Sequence, residues 1–100
     1  MWVVNGDFGA VTFVIQFVNA GSAVDISTYT TLTIRMGPSG GTINDFTASF
    51  TTDGTDGQIE YTLASSDIDT EGVWLIQGKV EKTGAQISSR KGTFEVHDAI

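Results

Sequence analysis

Thr30-Thr31-Leu32-Thr33-Ile34-Arg35-Met36, followed by Gly37-Pro38-Ser39-Gly40-Gly41, is the stretch whose reading decides the fold class of this chain. Leu32, Ile34 and Met36 alternate with Thr31, Thr33 and Arg35, which puts apolar groups on one face of an extended strand and polar groups on the other. The run that follows joins the chain's single proline to three glycines, residues that supply the fixed and positive φ values a turn needs. The same period of two returns in Phe46, Ala48 and Phe50 and, after the turn Asp53-Gly54-Thr55-Asp56-Gly57, in Ile59, Tyr61 and Leu63, so these segments read as a hairpin. Residues 72–81 place Trp74, Ile76, Gly78 and Val80 on one side. Thr83-Gly84 then turns the chain into residues 85–90 and a last strand through Phe94 and Val96. About seven strands, with turn signals every ~8–12 residues, have the spacing of an all-β sandwich or barrel. Helical signal is confined to residues 63–68, a single turn with Ser65 or Ser66 as N-cap.

Length and composition agree with one such domain spanning residues 1–100. A chain of 100 residues buries one core, and 40% hydrophobic with 10% aromatic content is enough to order it. Twelve acidic against five basic residues leave a formal charge of −7, which disfavours nucleic acid and anionic membrane as partners. The absence of cysteine excludes disulfides, zinc–thiolate sites and thiol nucleophiles, and leaves stability to packing. The first residues carry no basic segment ahead of an apolar run, and no apolar run approaches the ~20 residues of a membrane span, so the expectation is a cytosolic product without a standard export signal or anchor.

Val11-Thr12-Phe13-Val14-Ile15-Gln16-Phe17-Val18 departs from simple alternation. Val11, Phe13, Ile15 and Phe17 line one face, but Val14 and Val18 make the other apolar too. Two readings stand: a central strand or one that crosses between sheets, covered on both faces within the fold, or a face that packs against another subunit. Ahead of it, Trp2-Val3-Val4 either completes the sheet or docks on a neighbour, and residues 1–8 are a candidate N-terminal docking arm. Trp2, Val3, Val4, Val14 and Val18 are therefore the candidate interface residues.

Enzyme templates fail one by one, and the expectation is a protein without catalytic residues. The single histidine, His97, is near the C-terminus and no Gly-x-Ser-x-Gly elbow occurs, so a Ser-His-Asp hydrolase lacks its parts. Neither a P-loop nor a Gly-x-Gly-x-x-Gly run after a strand is present. Asp67, Asp69 and Glu71 alternate as a glycosidase pair could, but a domain this small offers little cleft, and the favoured reading is a solvated, turn-capping corner. A calcium site shared with Asp53 or Asp56 is the lesser reading, without the spacing or glycine of an EF-hand. Otherwise no cofactor is expected. Trp2, Tyr29, Tyr61 and Trp74 offer flat faces for sugar rings, which makes a carbohydrate-binding adhesion module the alternative function, although Tyr61 and Trp74 share strand faces with core residues.

At Asp69-Thr70-Glu71-Gly72-Val73-Trp74 the chain resembles the acidic-x-x-Gly-x-aromatic corner that leads into a late strand of immunoglobulin-like domains, with tryptophan where those domains usually have tyrosine. The longer stretch from Asp53 to Gly72, containing Gly57-Gln58-Ile59-Glu60-Tyr61-Thr62-Leu63 and then Asp67-Ile68-Asp69-Thr70-Glu71-Gly72, resembles the Gly-x-Val-x-Tyr-x-Leu…Asp-x-x-x-x-Gly pattern of small tailed-phage virion proteins related to the N-terminal domain of the phage baseplate upper protein. Val24-Asp25-Ile26-Ser27 ahead of the strand ending in Arg35-Met36 is similar to the same family's Val-Asp-Leu-Thr lead. The likeness covers roughly residues 10–97 and rests on turn and strand signatures.

What the resemblance implies is an immunoglobulin-like sandwich of about seven antiparallel strands that docks on a virion as an accessory structural subunit, at the tail or baseplate or as a capsid decoration protein. Its partners would be other virion structural proteins, met as a symmetric oligomer or in many copies on a symmetric particle, after synthesis in the host cytoplasm. The chain departs from the baseplate protein in ending at Ile100, with no segment that would carry a receptor-binding module.

Overall fold

In the computed structural model the alternating segments become ladders, and residues 2–4, 9, 11–64, 67–68 and 70–97 are described, those of 2–4 by backbone alone. The strands are β1 (Trp2–Val4), β2 (Thr12–Gln16), β3 (Val18–Asn19), β4 (Ser22–Ala23), β5 (Thr31–Pro38), β6 (Asn44–Thr47), β7 (Ser49–Phe50), β8 (Gln58–Thr62), β9 (Gly72–Lys82), β10 (Ala85–Ser88) and β11 (Gly92–His97). No helix occurs among the described residues, and the predicted N-caps Ser65 and Ser66 lie outside them. The larger sheet runs β1-β11-β9-β5-β6 with β10 also on β9, the smaller runs β2-β8-β7, and β3–β4 is a separate hairpin. Pairing is antiparallel except for β1, whose Trp2, Val3 and Val4 lie parallel to Glu95, Val96 and His97 of β11. The backbone of Trp2–Val4 thus completes a sheet; positions 1 and 5–8 of the candidate arm lie outside the described residues.

The two sheets meet face to face as a β-sandwich. Met36, Trp74, Phe94 and Val96 of the larger sheet close on Phe13 and Leu63 at one end, and Ile34 and Val80 close on Phe17, Ile26 and Ile59 at the other. Phe13 and Phe94 stack across the gap with ring centroids 4.8 Å apart. The tryptophan of the corner is 2% exposed. Its indole N–H donates to the Thr70 carbonyl at 2.9 Å, the backward bond to upstream backbone that a corner tyrosine makes through its hydroxyl.

On one side of the sandwich a described segment passes directly from sheet to sheet. Asn44–Thr47 pairs with β5 in the larger sheet, Ala48 N–H donates to Leu32 O, and Ser49–Phe50 then pairs with β8 in the smaller. The segment read from sequence as one arm of a hairpin therefore crosses between sheets at a buried small residue, and only its last two residues pair with the β8 arm. On the opposite side, β2 ends the smaller sheet, while β11 and β10 follow one another along the same flank of β9.

Between β10 and β11 the ladder gains a residue. Ser89 N–H donates to Gly78 O and Gly92 lies opposite Ile76, so Arg90 and Lys91 together face Gln77. This is a β-bulge, held by the Gln77 amide donating to Ser89 O and by Gly78 N–H donating to the Ser89 hydroxyl. It changes parity: Ile87 packs inward before it, Phe94 and Val96 after it.

Positive φ shapes the chain at Gly57 and at the β3–β4 tip. Gly57 has φ +74°, and a Cβ there would lie 2.8 Å from the carbonyl oxygens of Phe17 and Val24. At the β3–β4 tip Ala20 and Gly21 have φ of 52° and 82°, the paired positive values of a type I′ turn.

Gly57→Ala is expected to cost about 2 kcal/mol or more, because the positive φ alone costs roughly 1–2 kcal/mol for an L side chain and the two carbonyls cannot withdraw; chemical denaturation reads it directly. Deletion of Lys91 leaves Arg90 alone opposite Gln77 and keeps Phe94 opposite Trp74, so the bulge is lost while Phe94 and Val96 stay inward. It is expected to keep a cooperative unfolding transition and a dispersed amide spectrum, whereas an alanine inserted between Thr93 and Phe94 reverses the inward set and is expected to abolish both.

Candidate functional site

The apolar residues at both parities of 11–18 leave a row of side chains that nothing among the described residues covers. Phe13 and Phe17 are buried and Ile15 packs on the same core, so Val14, Gln16 and Val18 point outward. Val14 is 52% exposed and Val18 53%. Among the described residues β2 ends the smaller sheet rather than lying at its centre, the chain passes on from it into the separate β3–β4 hairpin, and no described segment covers its outer face. Val14 lies opposite Glu60 and Val18 opposite Ala23. Trp2–Val4 belongs to the other sheet and is not part of this row; of its three residues only the backbone is described.

A second surface was not expected from the sequence. Val73 is 49% exposed and Ile43 38%, both on the outer face of the larger sheet. Ile43 lies over Gly37, opposite Leu75 in the ladder. A shallow hollow of about 210 Å³ lies there among Arg35, Ile43, Leu75, Gln77 and Lys91. The signal is present in the chain: Val73-Trp74-Leu75-Ile76 is apolar at both parities, as 11–18 is, but the inward set of β9 accounts for the strand and masks it.

The open side of the sandwich holds a groove of about 840 Å³, bounded by Ile15, Phe17 and Val24 on one wall and Ile87, Ser88 and Arg90 on the other. Backbone geometry leaves both of its rims bare. Phe17 N–H donates to Gly57 O and Leu63 N–H to Val11 O, so antiparallel alternation aims residues 11, 13, 15 and 17 at β8 and the peptide groups of Thr12, Val14 and Gln16 away from it. By the same alternation Ser89 bonds Gly78, and Gln86 and Ser88 face away from β9.

Three of the acidic residues considered for metal or catalysis, Asp53, Asp56 and Asp67, are occupied locally, and Glu71 is exposed. Asp53 accepts from the Thr55 hydroxyl and N–H at 2.7 and 3.0 Å, and these bonds hold its carboxyl below the usual range. Asp56 accepts from Thr52 and from Gln58 N–H. Asp67 accepts from Ala64 N–H at 2.7 Å and from the Tyr61 hydroxyl at 2.6 Å, which makes it the capping group of the corner; Asp69 lies outside the described residues. No cluster of three or more His, Asp or Glu side chains suited to a metal ion occurs among the described residues. Three of the four aromatic faces proposed for sugars are engaged: Trp74 is core, Tyr61 packs against Phe46 at 5.1 Å, and Tyr29 lies under the Lys82 ammonium at 4.6 Å; the Trp2 side chain lies outside the described residues.

Partial burial, followed by the hydrogen bond to Asp67, pushes the Tyr61 phenol from 10.0 up to about 12. A phenol whose folded pKa exceeds its unfolded value stabilises the fold fully below the unfolded pKa, and that contribution is lost as pH rises through the folded one. Unfolding free energy is therefore expected to fall from about pH 10 toward about pH 12, and Tyr61→Phe is expected to flatten that fall; denaturant midpoints measured across the window check it.

Against known proteins, no family model matches this chain and no curated sequence matches it.

Proposed function

We propose that the protein is a non-enzymatic accessory structural subunit of a tailed-phage virion, held on the tail or baseplate, or on the capsid as a decoration protein, by contacts with other virion proteins. The observation that carries this reading is the outward row Val14-Gln16-Val18, with Val14 half-exposed on the edge strand β2 and Val18 half-exposed in the β3–β4 hairpin that follows it, neither covered by a described segment. Apolar side chains grouped on one face of a small acidic domain fit a protein-contact surface better than a substrate site. The likeness of residues 53–72 to virion proteins supplies the kind of particle. In that stretch the motif residues carry the corner: Gly57 admits the close backbone, Ile59 and Leu63 enter the core, and Tyr61 meets Asp67. Each copy brings an unpaired β2 edge, so an array of copies on a symmetric shell places many identical weak contacts side by side.

Antibody label imaged on intact particles by electron microscopy is expected over the head or at the tail, and unlabelled particles bearing an accessible epitope would count against a virion location. The double variant Val14→Glu, Val18→Glu is expected to unfold within about 0.5 kcal/mol of the parent, since both side chains are half in solvent, while its copy number on particles drops several-fold. Unchanged incorporation would remove this row as the contact.

A further inference from the structure

The flank of β9 is one continuous edge treated in two ways. Along β11 it is capped by β1, which adds to the sheet through Trp2–Val4. Along β10 no described residue pairs with it, and there the groove opens between β10 and the end of β2.

Charge supplies the second observation. Of the five basic residues, Arg35 pairs with Asp45, Lys79 with Glu81, and Lys82 rests on Tyr29 and the Thr28 hydroxyl. Arg90 and Lys91 have no ion pair among the described residues, although the chain as a whole carries −7. The bulge that holds them sits at the end of the bare edge, with Arg90 on the wall of the groove. Two exposed cations kept without internal partners on an acidic protein are complementary to a carboxylate brought from outside.

We infer that the bare edge of β10 accepts one extended segment of a partner protein, with apolar side chains at alternate positions and a carboxylate near its end. Its peptide groups pair with the free N–H and C=O of Gln86 and Ser88 in continuation of the larger sheet. Alternate side chains enter the groove over Ile15, Phe17, Val24 and Ile87, and the carboxylate meets Arg90. This is strand addition, in which backbone bonds give affinity and the alternate pockets give selectivity. A second copy of this chain is disfavoured by its own negative charge. The bulge breaks the ladder beyond Ser88, so the edge takes one short strand and does not template an open-ended sheet. This goes beyond the virion reading, which label on particles tests without any peptide, so either can fail alone.

The test uses the full chain, isotope-labelled, titrated to roughly 1 mM, the weak end of specific affinity, with a capped peptide of alternating Val and Glu and with the same peptide carrying Lys for Glu. The acidic peptide is expected to shift the Gln86 and Ser88 amides and to protect them from exchange. Arg90→Glu, an exposed site, is expected to weaken the acidic peptide at least about ten-fold and favour the basic one. Ser88→Pro, which removes a free N–H without removing a bond to β9, is expected to abolish binding while the remaining amide spectrum stays native. No shift with the acidic peptide, shifts confined to the Ile43–Leu75–Val73 face, or equal binding by Arg90→Glu would each overturn the inference.

Discussion

Ile15 and Phe17 of the smaller sheet close over Gly78 of the larger one: a Cβ on Gly78 would stand only 3.0–3.1 Å from their side chains. The rest of the sandwich depends on that approach. A chain without cysteine holds two sheets together only by interdigitated apolar faces, and such faces must come to about 10 Å for side chains of both to touch. Gly78 lets β2 sit low over β9 at one end. At the other end Phe13, Phe94 and Trp74 fill the wider space with rings, Trp74 and Phe94 having centroids 5.9 Å apart.

From this contact the two sides of the molecule acquire different characters. The crossing at Ala48 ties the sheets covalently on one side, so their edges are spent there. On the other side the described residues of the two sheets meet through their cores, and the peptide groups of β2 and β10 face outward. Strand β1 adds to this flank along Glu95–His97 of β11, at the end of the strand away from the bulge. An open flank, outward valines and unpaired cations all lie on or beside that same side. A contact function there asks nothing of the acidic loops, whose carboxylates are bound into their own turns.

The corner from Tyr61 to Trp74 links this architecture to its sequence pattern. Asp67 holds the Tyr61 hydroxyl and the Ala64 N–H together, and the indole of Trp74 holds Thr70. Two aromatic residues, one from each sheet, pin the connection between them, and each places its ring in the interior while spending its polar atom on the backbone or on a carboxylate. Tyrosine and tryptophan both suit such a bond because each carries a donor at the far edge of a flat apolar body.

Period-two alternation makes the all-β class, most strands and most of the core legible in the sequence alone, because which face a side chain takes on a strand is a local property of the backbone. Leu32, Ile34 and Met36, or Trp74, Ile76 and Val80, need no partner to be read as one face. The bulge leaves a trace of the same kind, a change of parity between Ile87 and Phe94, but its position follows from the pairing with β9. What only the tertiary structure decided is pairing and exposure, which depend on residues far apart in the chain. The alternation of 44–50 is the same whether it stays in one sheet or crosses at Ala48, and the two-sided segment 11–18 reads alike at the centre of a sheet or at its edge. The candidate site followed the same division. Val14 and Val18 were visible as apolar residues on the wrong face, but the groove, the bare edge of β10 and the Val73 face arise from where the sheets end, and sheet ends are set by long-range pairing.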